Sequence, residues 1–573
     1  MKNNNKPKQE WKLFFFLLKQ AKLPWHWYVL SLILSLLSST ISTRLPQTAG
    51  KIVSGEIFDS RTVVTYIVVT LVMAIMNLLL SIFAAWINLQ SDKNLRKLVW
   101  KKIIHLPLSE TDKIPPTSLV SRVTVDTSSI SGGISNIITI IIGAYSLGTI
   151  LMIVNGMSHK MLWMLLLVIP FVIIASIPSH FMSDSKNQIQ NALSRYTNFL
   201  SERLSSLKQI KAFTAEERED ALNAEVTKDF FKANIKLAKL DMIAKPFIYS
   251  IEAVVQAIIL IYGGYLLSTG ELDSASAVSL FMYSTTIALY TYQFVFCWQA
   301  IKKAQGAATE ASCIVKLESE EMQRSHSFTV PEDSIRMENI SFAYEDGEKV
   351  LDDLTVEIPV GKVTAIVGPS GSGKSTVLKL LERLYQPNSG KIVLGEQSAE
   401  DIHLNEWRNN FGMVPQDSPL LVGTVRDNIM YGIEEELSEE ALQNVIEKAN
   451  VSEILEHLPE GLQSSVGDVG EKLSGGEKQR IALARMMIRN PEFLLLDEAT
   501  SNLDAKNEYQ IIETIFKEMQ GKTSVIVTHN LHTIENADNI VFLENGKMQG
   551  RGTHAELYAN NDKYHNFVDL QKV

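Results

Sequence analysis

The sequence predicts a bundle of six membrane-spanning helices followed by a soluble α/β domain built around a phosphate-binding loop. Three observations lead there. Long apolar runs crowd the stretch before about residue 315 and are absent after it, a contrast hidden by the overall 46% hydrophobic content and mean hydropathy of +0.05. Residues Gly368–Thr376 read GPSGSGKST, which fits G-x-x-x-x-G-K-[ST], a loop whose backbone N–H groups cradle phosphates. Two further apolar runs in that half end in polar groups, Phe493–Glu498 (FLLLDE) and Ser524–His529 (SVIVTH), the form of buried parallel strands that deliver side chains at their C-terminal ends.

The N-terminal half is organised by bilayer thickness, since a spanning helix needs about 20 apolar residues. Candidate spans are 27–46, 64–88, 131–155, 161–180, 246–268 and 276–298, the first interrupted near its outer end by Arg44 and Pro46. Ahead of them, residues 1–25 have a basic head but only a short apolar core. They read as a retained segment and not a signal peptide, with Trp11, Phe14, Phe15, Leu17 and Leu18 forming an interfacial helix. Lysines and arginines cluster at the N-terminus, after the second span (Lys93, Arg96, Lys97, Lys101, Lys102), after the fourth (Lys186, Arg195, Arg203, Lys208, Lys211) and after the sixth (Lys302, Lys303). The turn Gly270–Asp273 between spans five and six has none. Basic loops mark the cytoplasmic side, so both termini are expected there. The long cytoplasmic connections have helical apolar spacing (Leu200, Leu204, Leu207) and should extend the spans well beyond the membrane, with the run Glu216–Asp220 as a solvated helix face. Within the spans, Glu252 faces a bundle interior or sits near the inner interface. Arg44 snorkels outward or lines a pathway. Tyr283, Ile287, Tyr290 and Phe294 share one helical face, for packing or for a substrate wall.

Residues 316–332 are polar and contain Pro331, which marks a linker before the domain at 333–573. In that domain Val363–Val367 should be a buried strand and Ser375 should open a helix, so phosphate oxygens would meet a positive helix end. Lys374 would reach the β- and γ-phosphates and the Ser375 hydroxyl would ligate Mg²⁺. Asp497 is placed to hold the metal, and Glu498 to orient and polarise an attacking water. Leu473–Glu477 (LSGGE) opens another helix, a second anion site that the same nucleotide does not need. A second copy of the domain, contributing its own loop, resolves that surplus. The formal net charge of −10 gives no basic footprint for nucleic acid. Two cysteines, Cys297 and Cys313, without metal-spaced neighbours support neither a disulfide framework nor a zinc site.

In order, Tyr344, the GPSGSGKST loop, Gln416, LSGGE, FLLLDE, Ser501–Asp504 (SNLD) and His529 resemble the nucleotide-binding domain of ATP-binding cassette (ABC) transporters. The six preceding spans are similar to the half-transporter exporters, bacterial multidrug and lipid exporters among them. The resemblance implies ATP and Mg²⁺ as cofactors. It implies that Tyr344 stacks on adenine and that Gly368, Ser370, Gly371, Gly373, Lys374, Ser375 and Thr376 hold the nucleotide. Gln416 would sense the γ-phosphate and the metal beside Ser375 and Asp497, with Glu498 and His529 completing the catalytic set. Ser474, Gly475 and Gly476 would bind the ATP of a second copy, and Asp504 would link the two sites. Segments Pro116–Asp126 and Ser206–Thr214 look like the coupling helices that touch the nucleotide-binding domains. Asn530 and Asn502 depart from the family's usual Arg and Ala. Because Glu498 and LSGGE are both intact, a homodimer in the plasma membrane is expected over a heterodimer. The cargo implied is an amphipathic or hydrophobic drug, a lipid or a peptide. The alternatives are uptake of a metal chelate on an exporter scaffold, a peptide exporter without its own protease, or a regulatory ATPase that moves no solute.

Overall fold

The structure, a computed structural model, describes residues 6–55, 59–157, 159–160, 168–320, 328, 330, 334–344, 347–433, 437–467, 470, 472–499, 512–513, 515–517 and 521–571. The chain divides into two units, Met1–Ile104 with Pro115–Leu317, and His105–Ile114 with Glu318–Val573. The short stretch His105–Ile114 thus groups with the second unit, where a contiguous membrane domain over 26–315 was expected.

The first unit is helical: α1 (Lys6–Gln20), α2 (Trp25–Ser42), α3 (Leu45–Val53) and α4 (Ser60–Ile104). Helix α5 (Leu108–Thr111) belongs to the second unit, and α6 (Pro116–Ser121) runs through a π-helical turn at Arg122–Asp126 into α7 (Thr127–Met157). Then come α8 (Val168–Ser205), α9 (Leu207–Ala212), α10 (Glu216–Ser268) and α11 (Ser274–Lys316). Among the described residues, three helical stretches are long and apolar enough to cross a membrane: Trp25–Val53, Ser60–Ile104 and Pro116–Met157. The other three predicted spans fall on α8, α10 and α11, with 161–167 and the Glu252 side chain outside the described residues. Helix α4 shows why lipid is its solvent. Val64, Ile67, Leu71, Ile75, Leu78 and Ile82 all stay exposed, and no single apolar stripe organises them.

The break predicted at Arg44 and Pro46 separates α2 from α3. A proline removes one backbone donor, and in lipid a carbonyl it leaves free on the preceding turn needs a partner. Helix α11 supplies one for Thr43. Tyr283 Oη donates to the Thr43 carbonyl at 2.6 Å, and Ser279 Oγ, 2.7 Å from the Ala275 carbonyl of its own helix, lies 3.0 Å from the Pro46 carbonyl as well. The predicted aromatic stripe is therefore a packing face: Tyr283 and Ile287 are buried, and Tyr290 and Phe294 lie against Gly143 of α7. Arg44 itself is exposed. Helix α1 packs one apolar face on the bundle. Phe14, Leu17 and Leu18 are buried in one cluster with Ile130 and Ile134 of α7 and with Ala304, Ala308 and Ala311 of α11, while Phe15 stays exposed. The acidic run at the start of α10 is helical, and it clips the preceding turn through Arg203–Glu219 (2.6 Å) and Lys211–Glu216 (2.8 Å).

The second unit carries two sheets. An antiparallel one has the order β2-β1-β4-β5, from β1 (Ser334–Ala343), β2 (Lys349–Pro359), β4 (Ser389–Leu394) and β5 (Gln397–Ser398). The larger has the order β10-β9-β3-β8-β7-β6. Its strands are β3 (Val363–Val367), β6 (Phe411–Val414), β7 (Phe493–Asp497), β8 (Thr523–Val527), β9 (Asn539–Glu544) and β10 (Lys547–Gly552). Strands β6, β7, β8, β3 and β9 run parallel, and β3, β7 and β8 are buried along their whole length, which is why they read as unbroken apolar runs.

Small residues set the contact between α7 and α11. A Cβ added at Gly133 would lie 2.4 Å from Ala304 Cβ. Gly133→Leu should therefore lower the thermal midpoint of the purified chain in lipid by an overpacking penalty of about 1–3 kcal/mol. Gly148→Leu, with nothing within 4 Å of the added Cβ, should leave that midpoint where it is.

Candidate functional site: a phosphate-binding loop and its carboxylates

In a parallel sheet the ligand crevice lies beyond the C-terminal ends of the strands. Four adjacent strands of the large sheet deliver polar groups there. Strand β3 runs into the glycine loop and helix α12 (Lys374–Leu381), β6 leads to Gln416, β7 to Asp497 and Glu498, and β8 to His529.

The loop needs its glycines. Gly368 has φ +153° and a Cβ there would meet the Leu543 carbonyl oxygen at 2.0 Å, so neither the conformation nor the space admits a side chain. Gly373, at φ +99°, is the N-cap of α12 and packs on Leu351. Lys374 is buried, and its ammonium donates to the Gly368 and Pro369 carbonyls at 3.0 Å each. Burial pulls its pKa below the usual lysine range, while Glu498 and Asp497 oppose that shift. Ser375 Oγ donates to Asp497 Oδ1 at 3.0 Å. Asp497 is buried too, and burial pushes its carboxyl above the usual carboxylate range despite the Ser375 hydrogen bond. A serine hydroxyl touching a desolvated carboxylate is a hard-oxygen pair of the kind Mg²⁺ takes, so the residues fit that ion. Tyr344 lies alongside: its hydroxyl is 3.1 Å from Thr376 Oγ1, and Lys379 Nζ sits 5.6 Å over its ring.

Glu498 is the meeting point. It sits one residue past β7 at φ +47°, a left-handed conformation unusual for a residue with a side chain, held by its N–H bond to the Val527 carbonyl at 2.9 Å. Gln416 Nε2 donates to one carboxylate oxygen at 2.8 Å, and His529 Nε2 lies 3.1 Å from the other. The structure thus brings together Gln416, Asp497, Glu498, His529 and the loop residues, as the sequence predicted. On its other side, His529 Nδ1 is 3.4 Å from Gln571 Nε2, a contact the sequence reading missed.

Ser474 stands apart from this group. It is the N-cap of α13 (Gly475–Ile488) in a reciprocal capping box with Glu477, and Ser474 and Gly475 are exposed. Ser501 through Asp504 lie outside the described residues. Asn530, where the family's arginine was expected, caps the short helix after His529 by accepting from the Thr533 N–H. The coupling segment needs correction. Pro116–Asp126 groups with the helical unit, whereas His105–Ile114 just before it packs with the second unit. There Leu108 lies on the core, Asp112 accepts a hydrogen bond from the Tyr385 hydroxyl, and the His105 carbonyl accepts from the Glu320 N–H at 2.9 Å. The signal for it was the Pro107 and Pro115–Pro116 punctuation around a short polar helix.

Comparison with known proteins agrees with this geometry. Residues 351–501 match the family model for the ABC transporter and residues 27–289 that for the ABC transporter transmembrane region. A multidrug resistance ABC transporter ATP-binding and permease protein of Lactococcus lactis subsp. cremoris is 30% identical, covering 98% of this chain and 96% of its own. The ATP-dependent lipid A-core flippase of Syntrophus aciditrophicus is also 30% identical, over 86% of this chain and 82% of its own. A solved bacterial Atm1-family ABC exporter with ATP bound superimposes with a TM-score of 0.82 at 24% identity, covering 95% of this chain and 97% of that one. The chain belongs to the ABC transporter family, in the exporter-type half-transporter arrangement of one helical membrane region followed by one ATP-hydrolysing domain.

Proposed function

We propose that two copies of this chain use ATP to export a hydrophobic or amphipathic molecule across the plasma membrane, with both termini in the cytoplasm. Of the cargo classes, a drug is favoured over a lipid or peptide. The observation that carries the ATP-driven part is the Glu498 carboxylate, held from both sides by Gln416 and His529 beside an intact phosphate loop. Similarity along nearly the whole chain to a multidrug transporter and to lipid A-core flippases supports the cargo class.

In this reading Glu498 takes the proton of the attacking water, and its fixed backbone spares the site reorganisation when charge develops. Lys374 and the loop N–H groups bind and orient the phosphates. Mg²⁺, held by Ser375, Asp497 and Gln416, would neutralise charge on the phosphate oxygens. Tyr344 takes the adenine face. At the start of their helix, the Ser474 hydroxyl and the Gly475 and Gly476 N–H groups are offered to the nucleotide of the other copy, and Asp504 links the two sites. ATP binds the closed pair better than the open one and so shifts the pair toward closure, and hydrolysis resets it.

Three measurements test the reading in lipid nanodiscs or vesicles. Lys374→Ala should weaken binding of a non-hydrolysable ATP analogue by at least about tenfold, the loss of a charge-assisted contact. Glu498→Gln should bind the analogue normally but lose about 10²- to 10⁴-fold in turnover, the usual contribution of a general base. In inside-out vesicles ATP should drive a fluorescent amphipathic drug inward. Depletion would mean uptake, and hydrolysis without any solute movement would remove the transport assignment.

A further inference from the structure

We propose that Gln571, on the last described turn of the chain, is a positioning residue that fixes the tautomer of His529. The inference rests on the assignment of Glu498 and His529 to catalysis. Helix α14 (Asp562–Gln571) is seated by Tyr564 and Val568, both fully buried in the same core as Phe542 of β9. Tyr564 crosses Phe542 edge to face at 5.7 Å, and its hydroxyl is hydrogen-bonded to His554 at 2.9 Å. Positions 564, 568 and 571 lie on one face of a helix. That register turns Gln571 partly inward and leaves Leu570 79% exposed, so the helix shows its leucine to water and keeps its amide half-buried. Burial of apolar surface alone favours the opposite arrangement. The half-buried amide meets His529 at a contact open to solvent, with Gln571 Nε2 3.4 Å from His529 Nδ1.

Donor and acceptor logic gives the contact its role. The Glu498 carboxylate only accepts, so His529 must present a proton on Nε2, which stands 3.1 Å from it. In the neutral ring that leaves a lone pair on Nδ1, and a Gln571 N–H is the donor that satisfies it. A hydrogen bond on one ring nitrogen sets which nitrogen carries the proton. Gln571 therefore holds His529 as a donor toward Glu498 and toward the crevice.

Gln571→Met keeps the side-chain length and removes both amide groups. In the full chain in nanodiscs it should slow ATP turnover about fivefold, the rate equivalent of one neutral hydrogen bond, with KM for ATP changed by less than about twofold. In a His529→Ala background the same substitution should change the rate by less than about twofold, since its effect passes through that ring. Nitrogen-15 spectra of histidine-labelled protein, with His529 assigned by its disappearance in His529→Ala, should show the Nε2–H form in the parent and a mixture of tautomers in Gln571→Met. Unchanged turnover, equal fractional losses in both backgrounds, or an unchanged tautomer would overturn the proposal. Should His529→Ala leave no measurable turnover, the spectra decide. Glu498→Gln measured alongside separates two failures: retained turnover there sinks the catalytic assignment, whereas a dead Glu498→Gln with an unimpaired Gln571→Met sinks the Gln571 proposal alone.

Discussion

Everything the second unit does depends on holding one carboxylate still. Glu498 is forced into a left-handed backbone conformation and anchored to β8 by its own N–H, while side chains from the ends of β6 and β8 take its two oxygens. None of these contacts exists without the parallel order of β6, β7 and β8, because only parallel strands bring successive C-terminal ends to one edge. The unbroken apolar character of those strands is thus a requirement of the chemistry as much as of stability. A sheet exposed on one face would need alternating polar residues and would lose the two-sided cover that makes the edge rigid.

Burial at this edge acts on charge as well as on position. Lys374 and Asp497 are each desolvated, and each is driven toward its neutral form. Two opposite charges in a dry environment gain when a compensating ion or polyanion arrives.

Much of this was legible in the sequence because the strongest signals are local. The glycine loop follows a strand and precedes a helix, and the strands β3 and β7 are the runs the sequence showed. What escaped notice depended on register or on distant partners. Gln571 looks like an ordinary helix residue until Tyr564 and Val568 fix which way the helix faces. The short piece around Asp112 reads as part of a membrane connection, and contacts with residues far along the chain, Tyr385 and Glu320 among them, place it in the second unit. The aromatic stripe of α11 left two uses open, and the answer lay in backbone carbonyls of another helix, which no side-chain pattern reveals. The helices on which α1 packs escaped notice for a related reason. Its apolar face matches alanines of α11, and small residues announce a close approach without saying what approaches.

The break between α2 and α3 has a consequence for how this chain can vary. Its carbonyls at Thr43 and Pro46 lie at the end of α2 and the start of α3, while the hydroxyls that reach them, Tyr283 and Ser279, belong to α11. In the same place Gly50 comes so near the Ala275 carbonyl that no side chain fits between them. The two segments are therefore locked as an evolutionary pair. Loss of the proline would leave Tyr283 without its acceptor and return Ser279 to the Ala275 carbonyl of its own helix, and loss of the Tyr283 hydroxyl would favour replacement of the proline. Across related chains, the residues at 46, 50, 279 and 283 should change together or hardly at all, even though they are more than two hundred positions apart in the sequence.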